Sequence, residues 1–225
     1  MGHESGYLFH IFGLGVTSKI TTMWAIMLLL TVLSILATRN MEKIPKARGV
    51  QNSLEMVVEL LLNFFSDIIG YEQARRFLPF LGTMFIFILV SNYSGLLPGA
   101  GHIPGLAAPT STWSVTLGLA ATVFVATQVY GVKALGFRYL KKFLQPAFML
   151  PLNIVEQFVR PLSLSLRLFG NIFGEEMVIA VLLGLVPYFA PIPVMILSLL
   201  FGFIQAIVFT LLSSIYFHEA IEESH

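Results

Sequence analysis

The sequence predicts an all-α integral membrane protein, a single membrane domain over residues 1–225, and three observations carry that expectation. Hydrophobic residues make up 56% of the chain and charged residues only 11%, against roughly 25% charged in soluble domains. Mean hydropathy is +0.84. Long uncharged runs are separated by short charged segments, and those segments distribute their lysines and arginines unevenly.

Taken in order, Ile20 to Ala37 carries no charge, and at ~1.5 Å per residue it makes about 27 Å of helix against a hydrocarbon core of ~30 Å. A span over about 20–38 follows. Arg39, Lys43, Lys46 and Arg48 stand immediately after it against a single Glu42. The positive-inside rule puts that side in the cytoplasm and the N-terminus outside. His3 and Glu4 replace the basic start of a signal peptide, so the first residues are expected to remain in the mature chain.

Next, Glu55, Glu59, Asn63 and Ser66 recur at helical spacing amid apolar residues. This predicts an amphipathic helix in the membrane plane, along the cytoplasmic face or against a partner. A second span, 77–97, follows Arg75 and Arg76 and returns outward to SNYSGLLPG, where Gly and Pro break the helix. Residues 98–112 hold no Lys or Arg, as suits an external loop. A third span, 113–133, crosses back to Lys133, Arg138, Lys141 and Lys142. From Met177 to Phe217 there is no charge, but Pro187, Pro191 and Pro193 interrupt the run. The reading is a hairpin of two long helices, about 150–186 and 192–220, free to tilt strongly, with the C-terminus in the cytoplasm.

Several function classes drop out. A net charge of +1 leaves no basic surface for nucleic acid. There is no cysteine, no glycine-rich phosphate loop, and FHEAIEESH carries Glu222 where a zinc motif needs its second histidine. Neither a cofactor nor a metal is expected.

The segment RPLSLSLRLFGNIFGEE stands out. At about 100° per residue, Ser163, Arg167, Gly170, Asn171 and Gly174 share one arc of about 100° of the helix surface. Arg160 and Glu156 fall on the same arc, subject to a kink at Pro161. Gly170 and Gly174 form a G-x-x-x-G pair, a smooth surface that another helix can approach closely. An arginine within a membrane segment, at an insertion cost of ~2.5–3.5 kcal/mol, is functional by default; the alternatives are a head-group snorkel or a glutamate pair. Glu176 lies about 180° from Arg167, which assigns it to another environment, such as a water-filled cavity behind the helix. Glu175, about 80° away, is better placed to pair. On the last helix, Ser198, Gly202 and Gln205 lie within an arc of about 60°. Residue 186 is the midpoint between Arg167 and Gln205, so an antiparallel hairpin brings those two to one level.

RLFGN followed by Glu176, the stretch from Asn153 to Asn171 ending PLSLSLRLFGN, SNYSGLLPG, and the closing IQAIVFTLLSSIYF resemble subunit a of the F-type ATP synthases over most of the chain. The resemblance implies the stator half of a rotary proton path. Two half-channels would meet a ring of c subunits that each carry a carboxyl group, in an energy-coupling membrane such as the bacterial plasma membrane. Subunit b of the peripheral stalk, the remaining synthase subunits and the lipid bilayer would be its other partners. It further implies that Arg167 faces the ring carboxylate, that Asn171 and Gln205 support it, that Glu176 relays protons in the outer half-channel, and that the chain is not catalytic alone. Some members carry a histidine or acid where this chain has Ser198. Two alternatives from other classes are a secondary transporter whose Arg167 binds an anionic solute in a midplane pocket, and a structural scaffold indifferent to loss of Arg167.

Overall fold

The computed structural model describes residues 7–11, 14–39, 50–97, 107–136, 150–186, 189 and 191–221. Among the described residues two strands, β1 (Tyr7–Ile11) and β2 (Leu14–Thr17), precede six helices. These are α1 (Ser18–Thr38), α2 (Val50–Ile69), α3 (Tyr71–Ser94), α4 (Trp113–Leu135), α5 (Leu150–Leu185) and α6 (Pro191–Ile221), with a 3-10 turn at Pro109–Ser111 before α4. Five of the helices, all but α2, are long and apolar enough to cross a membrane. The expected all-α membrane body is present. The antiparallel β1–β2 ribbon, with Ile11 opposite Leu14, is an addition to it. Its strands are short and almost uniformly apolar, so they lack the two-residue alternation that marks a half-buried strand. Lys43, Lys46, Arg48, Arg138, Lys141 and Lys142, which argue for orientation, lie outside the described residues, as does Pro187. Lys133 sits in the last turn of α4.

Between α2 and α3 the chain turns on the single residue Gly70, whose φ of 81° is open to glycine without a steric penalty. Helix α3 therefore begins at Tyr71 rather than at the apolar run from 77, and the exposed Arg75 and Arg76 ride on its first turns. Along α2, Leu61, Phe65 and Ile69 are buried at i, i+4 and i+8, while Glu55, Glu59 and Asn63 are exposed. That is the amphipathic pattern read from the sequence.

Helix α3 is the hub, packed against both α2 and α6. At one end of that contact Phe77 stacks on Phe217 with ring centroids 4.9 Å apart, and Tyr130 of α4 meets both rings edge-on. Each such pair contributes ~0.5–1.5 kcal/mol beyond simple burial. Toward the other end Gly202 of α6 lies against α3: a β-carbon there would stand 3.3 Å from that of Asn92 and 3.4 Å from the Tyr93 ring. Helix α5 lies at the edge of the bundle, burying the stripe Leu164, Leu168 and Ile172 together with Ser165 against α4, α6 and the 3-10 turn. Its other side is left open.

Candidate functional site around Arg167

On that open side are Ser163, Arg167, Gly170 and Asn171, all exposed, with Gly174 half-buried. A β-carbon at Gly170 or Gly174 would meet nothing within 4 Å. Among the described residues, no helix covers the glycine pair. Among the described residues Arg167 has no hydrogen bond and no ion pair, although its charge acts on the Tyr216 phenol of α6. A guanidinium carries five donors in a planar fork and has no accessible neutral state. Arg167 is exposed on a surface on which a second helix could be seated.

Beside the arginine, Asn171 Nδ2 donates a 2.8 Å hydrogen bond to Gln205 Oε1, across the hairpin. The level match read from the Pro-rich turn is realised by the residue one helical turn beyond Arg167. Gln205 is 3% exposed, and its Nε2 has no hydrogen-bond partner among the described residues. Ser198, Gly202 and Gln205 do share one face of α6, and all three are buried. Alongside them Asn92 Nδ2 donates to the Gly202 carbonyl at 3.0 Å, Thr110 Oγ1 donates to Asn92 Oδ1 at 2.8 Å, and Tyr93 Oη donates to the Leu199 carbonyl at 3.1 Å. Such bonds between helices average ~0.6 kcal/mol in membranes. They serve as much to fix register as to stabilise.

Glu176 points away from Arg167, as its angle on the helix requires. Its Oε2 accepts a 3.0 Å bond from Nζ of Lys19, at the start of α1, and the same ammonium donates to Ser111 Oγ. Glu175 does not pair with Arg167; it lies beside the Ser198 hydroxyl. The two glutamates and Lys19 line a cavity of about 570 Å³ that reaches Asn92, Ala108 and Gly184.

Toward the opposite end of α5, Arg160 binds Glu156 of its own helix and Glu219 of α6, and its guanidinium stacks 5.1 Å from the Tyr216 ring. This end of the predicted arc thus turns onto α6 and is not part of the bare face. The helix runs unbroken through Pro161. A second cavity, of about 290 Å³, is lined there by Asn153, Glu156, Gln157, Arg160, Tyr216 and Glu219 together with residues of α4. The two cavities share no lining residue, they flank Arg167 along α5, and Arg167 lines neither.

Sequence reasoning passed over Lys19, Asn92, Thr110, Ser111 and Glu219. Lys19 was legible as a charge at the edge of an apolar run, and Asn92 as an amide beside a helix end. Neither pattern names a partner far away in sequence.

The family described as ATP synthase A chain matches residues 20–218. ATP synthase subunit a of Moorella thermoacetica is 45% identical over 211 residues, covering 93% of each chain. The protein of the same name from Trichlorobacter lovleyi is 41% identical over 224 residues, covering 97% of this chain and 93% of that one. The chloroplastic subunit a of Bigelowiella natans is 42% identical over 209 residues, covering 91% and 85%. Over nearly its whole length, this chain belongs to the ATP synthase subunit a family.

Proposed function

We propose that the chain is the stator ion-channel subunit of an F-type ATP synthase, carrying protons to and from a rotating ring of c subunits through two half-channels. One observation supports this best: two separate cavities, each lined in part by charged residues, flank Arg167 along α5, and the arginine sits between them on a face that no helix among the described residues covers. A continuous pore would leak. Two blind cavities conduct only when a mobile group visits both, and the bare glycine face is where such a group can approach.

In this reading the mobile group is a carboxyl on each ring helix. Beside Arg167 the carboxylate is stabilised as an anion and gives up its proton to one half-channel. After recharging from the other, it moves into lipid, where desolvation keeps it neutral. Arg167 stays charged throughout and cannot itself relay a proton, so it separates the two paths. The Asn171–Gln205 bond fixes the height of α5 on α6 at that point. Glu176 is the relay of the outer half-channel, with Glu175 and Ser198 as further polar lining. The Glu156, Arg160 and Glu219 cavity is the cytoplasmic exit.

The chain is then not catalytic alone. It sits in an energy-coupling membrane, the bacterial plasma membrane on this reading, with the N-terminus outside and the C-terminus in the cytoplasm. Its partners are the c ring, subunit b of the peripheral stalk and the other synthase subunits. A transporter binding an anion at Arg167 would want an enclosed pocket there, and neither of these cavities is lined by Arg167. Reconstitution tests the proposal. Proton flux should require the c ring and be absent from the chain alone; flux or solute uptake by the isolated chain contradicts it.

A further inference from the structure

Lys19 is a cation in the first turn of α1, at the edge of a membrane span, and the gate at Arg167 makes no use of it. Its Nζ is held between oxygens of two other elements, Ser111 Oγ in the 3-10 turn and Glu176 Oε2 in α5. Its side chain and that of Glu176 are 30% and 29% exposed, so both are largely withdrawn from bulk solvent and its screening. Lys19 also lines a separate recess of about 460 Å³ with Thr17, Ser18, Ser111, Thr112, Trp113 and Phe169. Among the described residues it alone lines both that recess and the glutamate cavity. The ammonium stands at the threshold between them.

Hydroxyl and carboxylate oxygens converging on one point are the donors that a hard metal cation selects. Here an ammonium tethered to the chain occupies the point. We propose that Lys19 is a built-in cation that bars metal cations from the Glu175–Glu176 cavity and so makes this entrance proton-selective. This rests on the half-channel reading given above. A free metal ion would need the same oxygens and would meet a fixed like charge before reaching them. A proton needs neither room nor new ligands, because it transfers along hydrogen bonds to a carboxyl. Three titratable groups line the cavity, Lys19, Glu175 and Glu176, while the neighbouring elements contribute the neutral Asn92, Ser111 and Ser198. One ammonium cannot neutralise two carboxylates, so the pair of glutamates keeps the capacity to accept the travelling proton. Lys19 is a positioning and selectivity residue that never carries the proton itself.

The test uses the whole synthase in proteoliposomes, making ATP under an imposed pH gradient and potential. Rates are compared in about 100 mM NaCl and in choline chloride of equal ionic strength, so that screening is the same in both. The parent complex and Lys19→Arg should run equally in the two salts. Lys19→Gln should lose more than half its rate in NaCl and none in choline. Equal rates of Lys19→Gln in both salts overturn the proposal. So does no synthesis in either salt by an assembled variant, because the ammonium would then belong to the path. A parent rate that depends on Na⁺ overturns it too. If Lys19→Gln fails to assemble, Ser111→Ala decides in its place: it keeps both charges but removes one of the two oxygens that hold the ammonium at the threshold, so Na⁺ inhibition supports the proposal and its absence refutes it. Failure of the half-channel reading looks different, as the parent complex would then make no ATP from a proton gradient.

Discussion

Asn171 and Gln205, from the two arms of the long hairpin, meet through a 2.8 Å hydrogen bond one helical turn from Arg167. The bond joins an exposed amide to a buried one. It ties the surface that carries the arginine to the interior of the bundle, and its loss should be felt in the arginine's placement before it is felt in folding. Replacing Gln205 with Leu, or Asn171 with Ala, should lower ATP-driven proton pumping in assembled complexes. A double-mutant cycle on thermal stability should return a coupling of ~0.6 kcal/mol and no more than ~1.7 kcal/mol. A coupling of zero would mean that the two amides do not act together.

The glycines separate a face awaiting a partner from one already packed. Gly170→Leu or Gly174→Leu meets open space within this chain. The variants should insert and keep their thermal stability, yet fail to couple, because the ring is held away from Arg167. Gly202→Leu drives a branched side chain into Asn92 and Tyr93 and should cost ~1–3 kcal/mol, measured by thermal unfolding in detergent. Normal pumping by the Gly170 and Gly174 variants would remove that face from the ring contact.

Glu176→Gln keeps the shape of the side chain and removes its capacity to take up a proton. Positioned proton transfer groups contribute ~10²–10⁴-fold to rate, so passive proton flux through reconstituted complexes should fall at least tenfold rather than rise. Undiminished flux would exclude Glu176 from the path. An increase would mean that the Lys19–Glu176 pair had been closing a leak.

The hairpin was legible because its signals are local and repeat. A long uncharged run interrupted by prolines, with one arginine and one glutamine equidistant from the turn, fixes which residues face each other. The open face of Arg167, Gly170 and Gly174 was legible for the same reason, as a single helix determines it. What escaped depends on tertiary meetings. Lys19 and Glu176 are 157 residues apart, and a lysine at the edge of a span reads only as a topological flank. Asn92 bonds a carbonyl 110 residues away, whereas SNYSGLLPG by itself reads as a helix terminator. Arg160 lies on the predicted arc yet belongs to the clamp with Glu156 and Glu219, since periodicity places a side chain on a face without saying which neighbour claims it.

Arg167→Lys tests the central claim most directly, through ATP-driven proton pumping in inverted vesicles. Lysine keeps the positive charge. It loses the planar fork that holds a carboxylate through two bonds, and its charge is lost more readily on burial. Forfeiting one charge-assisted bond of ~1.5–3 kcal/mol at the gate corresponds to roughly a tenfold to hundredfold loss. Pumping should therefore fall at least tenfold in a fully assembled complex, with ATP hydrolysis either blocked or uncoupled. Near-normal pumping by Arg167→Lys would contradict the account, because any positive charge would then suffice and the arginine would be an electrostatic anchor rather than a gate.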